Sequence, residues 1–189
     1  MTSLAVPEDL GAFLRESIDP ADPSAALMLS VASGMVRDLL EMQGFSVDPV
    51  ANDVVLVDPI NGAFLFLDGM PVTDVTLVET FDGTVWTTAD PLTYSVSKRT
   101  GVISALPWTG VQWPTNPETW RVTYDHGFTT LPDSILGVVL GVAARAWTAP
   151  PGIDQEAQGP RNVKYRMESN GFTAIENRIL AAYTNPRIA

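Results

Sequence analysis

Apolar positions along the chain change period twice, and the changes divide it into a helical, a β-rich and a second helical block. In the first block, Leu10, Phe13 and Leu14 fall on one face of a short helix over Pro7–Leu14. A longer helix follows Ile18-Asp19-Pro20-Ala21-Asp22-Pro23. Asp22 is a good N-cap there, and Pro23 sits at the first helical position, where a missing N–H costs nothing. The apolar series Leu27, Val31, Met35, Leu39 and Met42 predicts one face of this helix, with Ser30, Ser33, Arg37, Asp38 and Glu41 on the other. Gly44 is a plausible left-handed stop.

From Phe45 the pattern shortens. Val54–Val57, Ala63–Leu67 and Val75–Phe81 are β-branched and aromatic, and they are separated by Asn61-Gly62, Asp68-Gly69 and Asp82-Gly83. Asp82-Gly83 between Val75–Phe81 and Val85–Thr88 is the strongest hairpin signal in the chain. Arg99-Thr100-Gly101 predicts a second turn, between Tyr94–Lys98 and Val102–Leu106, and Trp120–Asp125 reads as the last strand. No helical crossover separates these strands, so residues 46–127 are expected to form an antiparallel β insertion.

The third block opens at Leu131-Pro132-Asp133. A helix through Ile135, Val138, Val139, Val142, Ala146 and Trp147 ends at Pro150-Pro151, and Arg145 is its only charge after Asp133. A helix apolar on every side must be covered on every side, which places it at the centre of a bundle or at a subunit interface. Gly137 and Gly141, four apart, would let another backbone come close. Residues 150–170 read as a polar arm with a possible strand at Asn162–Met167. A last helix over Thr173–Tyr183 leads into the tail Thr184–Ala189. The expected fold class is α+β: a helical bundle with two N-terminal and two C-terminal helices and a central antiparallel β insertion. Residues 1–45 and 128–189 would form the helical core, arm and tail, and residues 46–127 the insertion.

Charge adds a direction to this layout. The net charge of the 189 residues is −11. Residues 1–45 carry seven acids and two bases, residues 46–127 ten and three, and residues 128–189 five and six. Such a surface disfavours tight or sequence-reading nucleic-acid binding. The slightly basic end suits a second copy or another acidic partner. There is no cysteine, which excludes disulfides, thiolate metal sites and cysteine nucleophiles. The amino-terminal residues lack the basic start and apolar run of a signal peptide. The apolar stretch Ile135–Ala149 contains Arg145 and is too short for a bilayer core of roughly 30 Å. The expectation is a soluble protein, made in the host cytoplasm, with no membrane partner.

The sequence contains no Gly-x-Ser-x-Gly elbow, phosphate-binding glycine loop with lysine, His-Glu-x-x-His or calcium loop. His126, the single imidazole, follows a strand and reads as a turn or loop residue. Asp53, Asp58, Asp68, Asp82 and Asp90 could be paired as glycosidase carboxylates. Most of them precede Gly or Pro, however, where Asp serves turns and caps. Trp86, Trp108, Trp113 and Trp120 suit either a carbohydrate or nucleic-acid stacking platform or, more economically, a core and an aromatic loop. Neither an enzymatic activity nor a cofactor is expected.

The order and content of the blocks carry one resemblance. The segment Val122-Thr123-Tyr124-Asp125-His126-Gly127-Phe128, then Leu131-Pro132-Asp133, the Ala-rich helix to Arg145 and Pro151-Gly152, resembles the head–tail connector (adaptor) proteins of tailed bacteriophages. Ile18–Pro23 with its long helix looks like the family's second helix, and Gly171–Leu180 with Tyr183 like its last. The resemblance implies a structural virion protein at the head–tail junction. It would be a ring, normally twelvefold, that binds the portal on one side and a stopper or tail-completion protein on the other, while DNA threads the channel during packaging and ejection without sequence-specific contact. On that reading Ile135, Val138, Val142, Arg145, Trp147, Arg161, Lys164 and Arg166 are candidates for the subunit interface. Thr184, Asn185, Pro186, Arg187, Ile188 and Ala189 are candidates for docking to the portal. The alternatives are another virion component (a tail-completion or minor capsid protein) and a carbohydrate-binding or hydrolytic module on the Trp-rich β block.

Overall fold

The structure is a computed structural model, and it describes residues 2–110, 113–148, 155–158, 161–164 and 171–183, the two short segments 155–158 and 161–164 as backbone only. The fold is mixed α+β, with antiparallel sheets lying in sequence between two N-terminal and two C-terminal helices. The chain divides into two compact units, one of residues 1–40 and 130–183 and the other containing residues 41–129.

The helical unit holds α1 (Pro7–Leu14), most of α2 (Pro23–Met42), α3 (Asp133–Thr148) and α4 (Ala174–Leu180). Asp22 caps α2 as its chemistry dictates, its carboxylate accepting from the Ser24 and Ala25 backbone N–H groups at 2.7 and 3.2 Å. The face that α2 buries differs from the one expected. Ala25, Leu29, Ala32, Ser33, Val36, Arg37 and Leu40 are buried, whereas Leu27, Val31 and Met42 are exposed. Two apolar series compete along this helix, and the one built from smaller side chains is the buried one. Ser33 is accommodated because its hydroxyl donates to the Leu29 carbonyl at 2.6 Å and accepts from the Leu4 N–H at 2.9 Å. That bond also ties the amino-terminal segment to α2.

Helix α3 is the centre of its unit and packs against α1 and α4. Ile135, Val138, Val139, Leu140, Val142, Ala143 and Ala144 are all buried. Helix α4 starts on a capping box that reads directly from Thr173-Ala174-Ile175-Glu176. The Thr173 hydroxyl accepts from the Glu176 N–H at 3.3 Å, and the Glu176 carboxylate accepts from the Thr173 N–H at 2.8 Å. The helix is shorter than its apolar pattern predicts and continues as a 3₁₀ turn over Ala181–Tyr183. In the arm, the strand expected at Asn162–Met167 overlaps β9 (Arg161–Lys164), which pairs with β8 (Gln155–Gln158); residues 165–167 lie outside the described residues. The polar sequence Gln-Glu-Ala-Gln carries no strand signal, which is why β8 is not legible from pattern.

The β unit holds β1 (Val50–Val57), β2 (Phe64–Phe66), β3 (Val72–Phe81), β4 (Trp86–Thr88), β5 (Tyr94–Ser97), β6 (Val102–Ala105) and β7 (Trp120–His126). One sheet has the order β1-β7-β3-β4 and the other β2-β6-β5, every pair antiparallel. Both hairpins lie where Asp82-Gly83 and Arg99-Thr100-Gly101 place them. Asp82 accepts from the Thr84 and Val85 N–H groups at 2.8 and 2.9 Å, the turn role expected of an Asp before Gly. Strand β7, last in sequence, lies inside its sheet and alternates strictly: Trp120, Val122, Tyr124 and His126 are buried. With Val57, Leu65, Val72, Val78 and Ile103, the side chains of Trp120, Val122 and Tyr124 form one apolar cluster drawn from both sheets.

Candidate assembly surfaces

In the helical unit α1, α3 and α4 enclose an open groove of about 590 Å³. Phe13 and Leu14 form one wall, Ile175 and Ile179 the other, and Gly137, Val138 and Gly141 lie along α3 between them. Of the two glycines, Gly137 is open to the groove and Gly141 is covered by Glu176. A Cβ built on Gly137 would meet nothing within 4 Å, whereas one on Gly141 would sit 2.8 Å from the Glu176 carboxylate. Gly137→Ala should therefore raise thermal stability, by about 1 kcal/mol, since it removes only the backbone freedom that glycine loses in a helix. Thermal unfolding followed by circular dichroism measures this. A lowered midpoint would mean that the position is not open.

At the end of the groove Arg145 and Glu176 form a two-pronged ion pair, Nη1 to Oε1 at 2.7 Å and Nη2 to Oε2 at 2.9 Å. Burial pushes the Glu176 carboxyl up, but hydrogen bonds from Arg145 and Thr173 outweigh it and hold the group below the ordinary glutamate value. The pair joins α3 to the capping box of α4, so the single charge of the apolar helix after Asp133 is neutralised inside its own unit.

The opposite surface feature is convex. At 3.6 residues per turn Leu27, Val31, Gly34 and Asp38 fall on one side of α2, turned away from its buried face. Leu27 is 65% exposed and Val31 55%. A Cβ on Gly34 would meet nothing within 4 Å, and Asp38 is exposed. Neither Leu27 nor Val31 lines the groove. On α4, Ile175 is 74% exposed, and Arg178, one turn on, is exposed as well.

The residues singled out from sequence distribute unevenly over these surfaces. Ile135, Val138 and Val142 are buried within the helical unit, and only Val138 among them reaches the groove. Arg145 lies at the groove and is occupied by Glu176. Trp147 is half-buried on the last turn of α3. Arg161 and Lys164 belong to β9, while Arg166 and Thr184–Ala189 lie outside the described residues. Leu27, Val31 and Ile175 escaped the sequence reading as surface residues. Their signal is a second apolar series on a helix that already has a sufficient one.

In the β unit the tryptophans do not form a row of open rings. Trp113 and Trp120 are buried against each other with centroids 4.4 Å apart, and the Trp120 indole N–H donates to the Pro114 carbonyl at 3.1 Å. Trp86 is covered by the Arg121 guanidinium at 4.5 Å. Trp108 alone of the four is largely exposed, at 77%. His126, expected in a turn, is instead the buried last residue of β7. It stacks on Tyr124 at 4.9 Å, and its Nε2 lies 3.1 Å from the Asp53 carboxylate. Asp58 and Asp90 are likewise engaged in local structure, Asp58 accepting from the Glu118 N–H and Asp90 from the Leu92 N–H. Among the described residues no group of three or more His, Asp or Glu side chains could hold a metal ion. No described helix is long and apolar enough to cross a membrane.

No protein family and no curated protein matches the sequence. Solved structures do match the fold. A chain in the virion of a native gene transfer agent particle superposes with a TM-score of 0.59 at 17% identity, covering 100% of this chain and 96% of that one. A chain in the neck of the native particle, computed with C12 symmetry, gives 0.54 at 18%, again over 100% and 96%. A chain in the neck of the empty particle, computed with C6 symmetry, gives 0.57 at 17%, over 97% and 90%. Helical and β units are thus matched together, and the chain has the fold of proteins found in the neck and virion of gene transfer agent particles.

Proposed function

We propose that this chain is a non-enzymatic structural subunit of the neck of a phage-like particle, a head–tail connector that closes into a ring between portal and tail. The observation that carries the proposal is the end-to-end fold match to neck chains in reconstructions of cyclic symmetry. Surface physics supports it. A ring subunit must carry two different faces that only neighbours cover, and the helical unit displays a concave apolar groove and a convex apolar stripe on different helices. A channel that passes DNA must not hold it. A net charge of −11 repels phosphate within about 8 Å at physiological salt.

In this reading the ring is twelvefold, the portal meets one side and a stopper or tail-completion protein the other. The tail Thr184–Ala189 docks to the portal, and the arm that carries Arg161, Lys164 and Arg166 reaches an acidic neighbour. Deleting residues 184–189 should abolish attachment to the portal and leave the thermal unfolding midpoint unchanged, as measured by co-sedimentation with purified portal rings and circular dichroism. A truncated chain that still joins portals would contradict the role given to the tail.

A further inference from the structure

We infer that strand β9 of a second copy adds antiparallel to the open edge of β1 and extends the four-stranded sheet across a subunit boundary; the inference rests on the ring reading and names what the arm contacts. Strand β1 is an edge of its sheet, with β7 on one side and, among the described residues, no strand on the other. An edge leaves a row of N–H and C=O groups unpaired, and proteins normally blunt it with short strands, charges, proline or bulges. The edge strands β2, β4 and β5 are only three or four residues long. Strand β1 has eight, and its register shift lies between Val50 and Asp53. Beyond that shift, Val54-Val55-Leu56-Val57 holds no charge, proline or glycine, and Val54 and Leu56 are more than half exposed. This stretch is an unguarded edge.

Length and charge select the occupant. Asp53 and Asp58 bracket the four open residues, and Arg161 and Lys164 stand at the two ends of the four-residue β9. Both acids are accessible: Asp58 is exposed, and the Asp53 side chain keeps 36% of its surface open beside His126. In an antiparallel register with Lys164 opposite Asp53, Arg161 falls diagonal to Asp58 on the same face, so one alignment matches both pairs. Two β1 strands paired on the same stretch would instead set Asp53 opposite Asp58 at each end, like charge against like. Strands β8 and β9 form a two-stranded sheet by themselves. Such a hairpin is marginal in water and gains stability by joining a larger sheet. Its β8 side, Gln-Glu-Ala-Gln, has no cation to offer, so β9 is the side that pairs. A contact between two different strands leaves one of each free at the ends of any partial assembly, so it propagates until the circle closes.

The chain has no cysteine, so introduced ones report the contact cleanly. Particles are assembled with two chains, one carrying Val54→Cys or Val55→Cys and the other Asn162→Cys or Val163→Cys. They are then oxidised, and linked peptides are identified by mass spectrometry. Each chain holds one thiol, so every link joins two copies. The register predicts 54–163 and 55–162 links in roughly fivefold excess over 54–162 and 55–163, because alternate residues of a strand face opposite sides. V54K/L56K, at two exposed positions, should keep the wild-type circular dichroism and lose both the links and incorporation into necks. Normal incorporation of that variant, four links of equal yield, the reverse parity or a predominance of 54–54 links would each overturn the pairing. Necks that hold the chain as a ring without any of these links would overturn it as well and leave the ring reading intact. Particles whose necks lack the wild-type chain would overturn both.

Discussion

Gly127→Ala should lower the unfolding free energy by about 4 kcal/mol, the largest effect expected of any single small substitution in the β unit. Gly127 directly follows β7 with φ +90, a conformation that costs an L-residue on the order of 1–2 kcal/mol by itself. The remainder comes from crowding. A Cβ at this position would collide with the Asp48 carbonyl oxygen and lie 3.0 Å from the Pro49 Cα. Both are backbone atoms that cannot swing aside. Their displacement would disturb the start of β1, where Val50 pairs with His126, and the 3.0 Å bond from the Gly127 N–H to the Pro71 carbonyl. Urea unfolding followed by tryptophan fluorescence reads this change, because four of the five tryptophans lie in the β unit. A loss under about 1 kcal/mol would show that the close approach is not obligatory.

Glu176→Gln should cost about 3 kcal/mol at neutral pH, because it leaves the Arg145 guanidinium partly buried without its carboxylate. The cost exceeds that of an exposed ion pair for two reasons. The Glu176 side chain is only 10% exposed, and the same carboxylate also accepts from the Thr173 N–H at the start of α4. Acid should erase the difference. The folded protein holds Glu176 below its ordinary value near 4.5, so the carboxylate's contribution is fully present above that pH. It is lost as pH falls through the lower value of the folded state. The gap between wild type and E176Q should therefore be constant from pH 7 to about 5 and shrink below 4.5. Thermal unfolding across that range measures it, and a gap that widens in acid would reverse the assigned sign.

How legible the fold was depended on whether one local signal dominated. The Asp22 cap, the Asp82-Gly83 turn and the alternation of Trp120, Val122 and Tyr124 act over a few residues each, and all three stand in the structure as their chemistry requires. Helix α2 failed on orientation because two apolar series run along it. The one with the larger side chains, Leu27, Val31 and Met42, faces solvent, while Ala25, Ala32 and Ser33 share the interior with Leu29, Val36 and Leu40. Side-chain size points to the core only when no second surface has to be apolar. The strand β8 and the buried position of His126 were illegible for a different reason. His126 is fixed by Asp53, distant in sequence, and β8 by its pairing with β9 rather than by its own residue types.

The Arg145–Glu176 pair was within reach of sequence. Thr173 followed three residues later by Glu176 is a capping-box signature, and Arg145 is the one charge late in an otherwise apolar helix. Taken together, the two observations ask for each other, because a charge inside a bundle needs a partner and a capping carboxylate has oxygen lone pairs to spare. The sequence reading of Arg145 named no partner for it within the chain, and the structure supplies one 31 residues away.

A cryo-electron microscopic reconstruction of the neck of particles assembled with this chain, computed without imposed symmetry, addresses the central proposal directly. Twelve copies closed around a channel between portal and tail is the predicted result. A neck that lacks the chain, or a particle that carries it as separate copies with no contact between them, would contradict it.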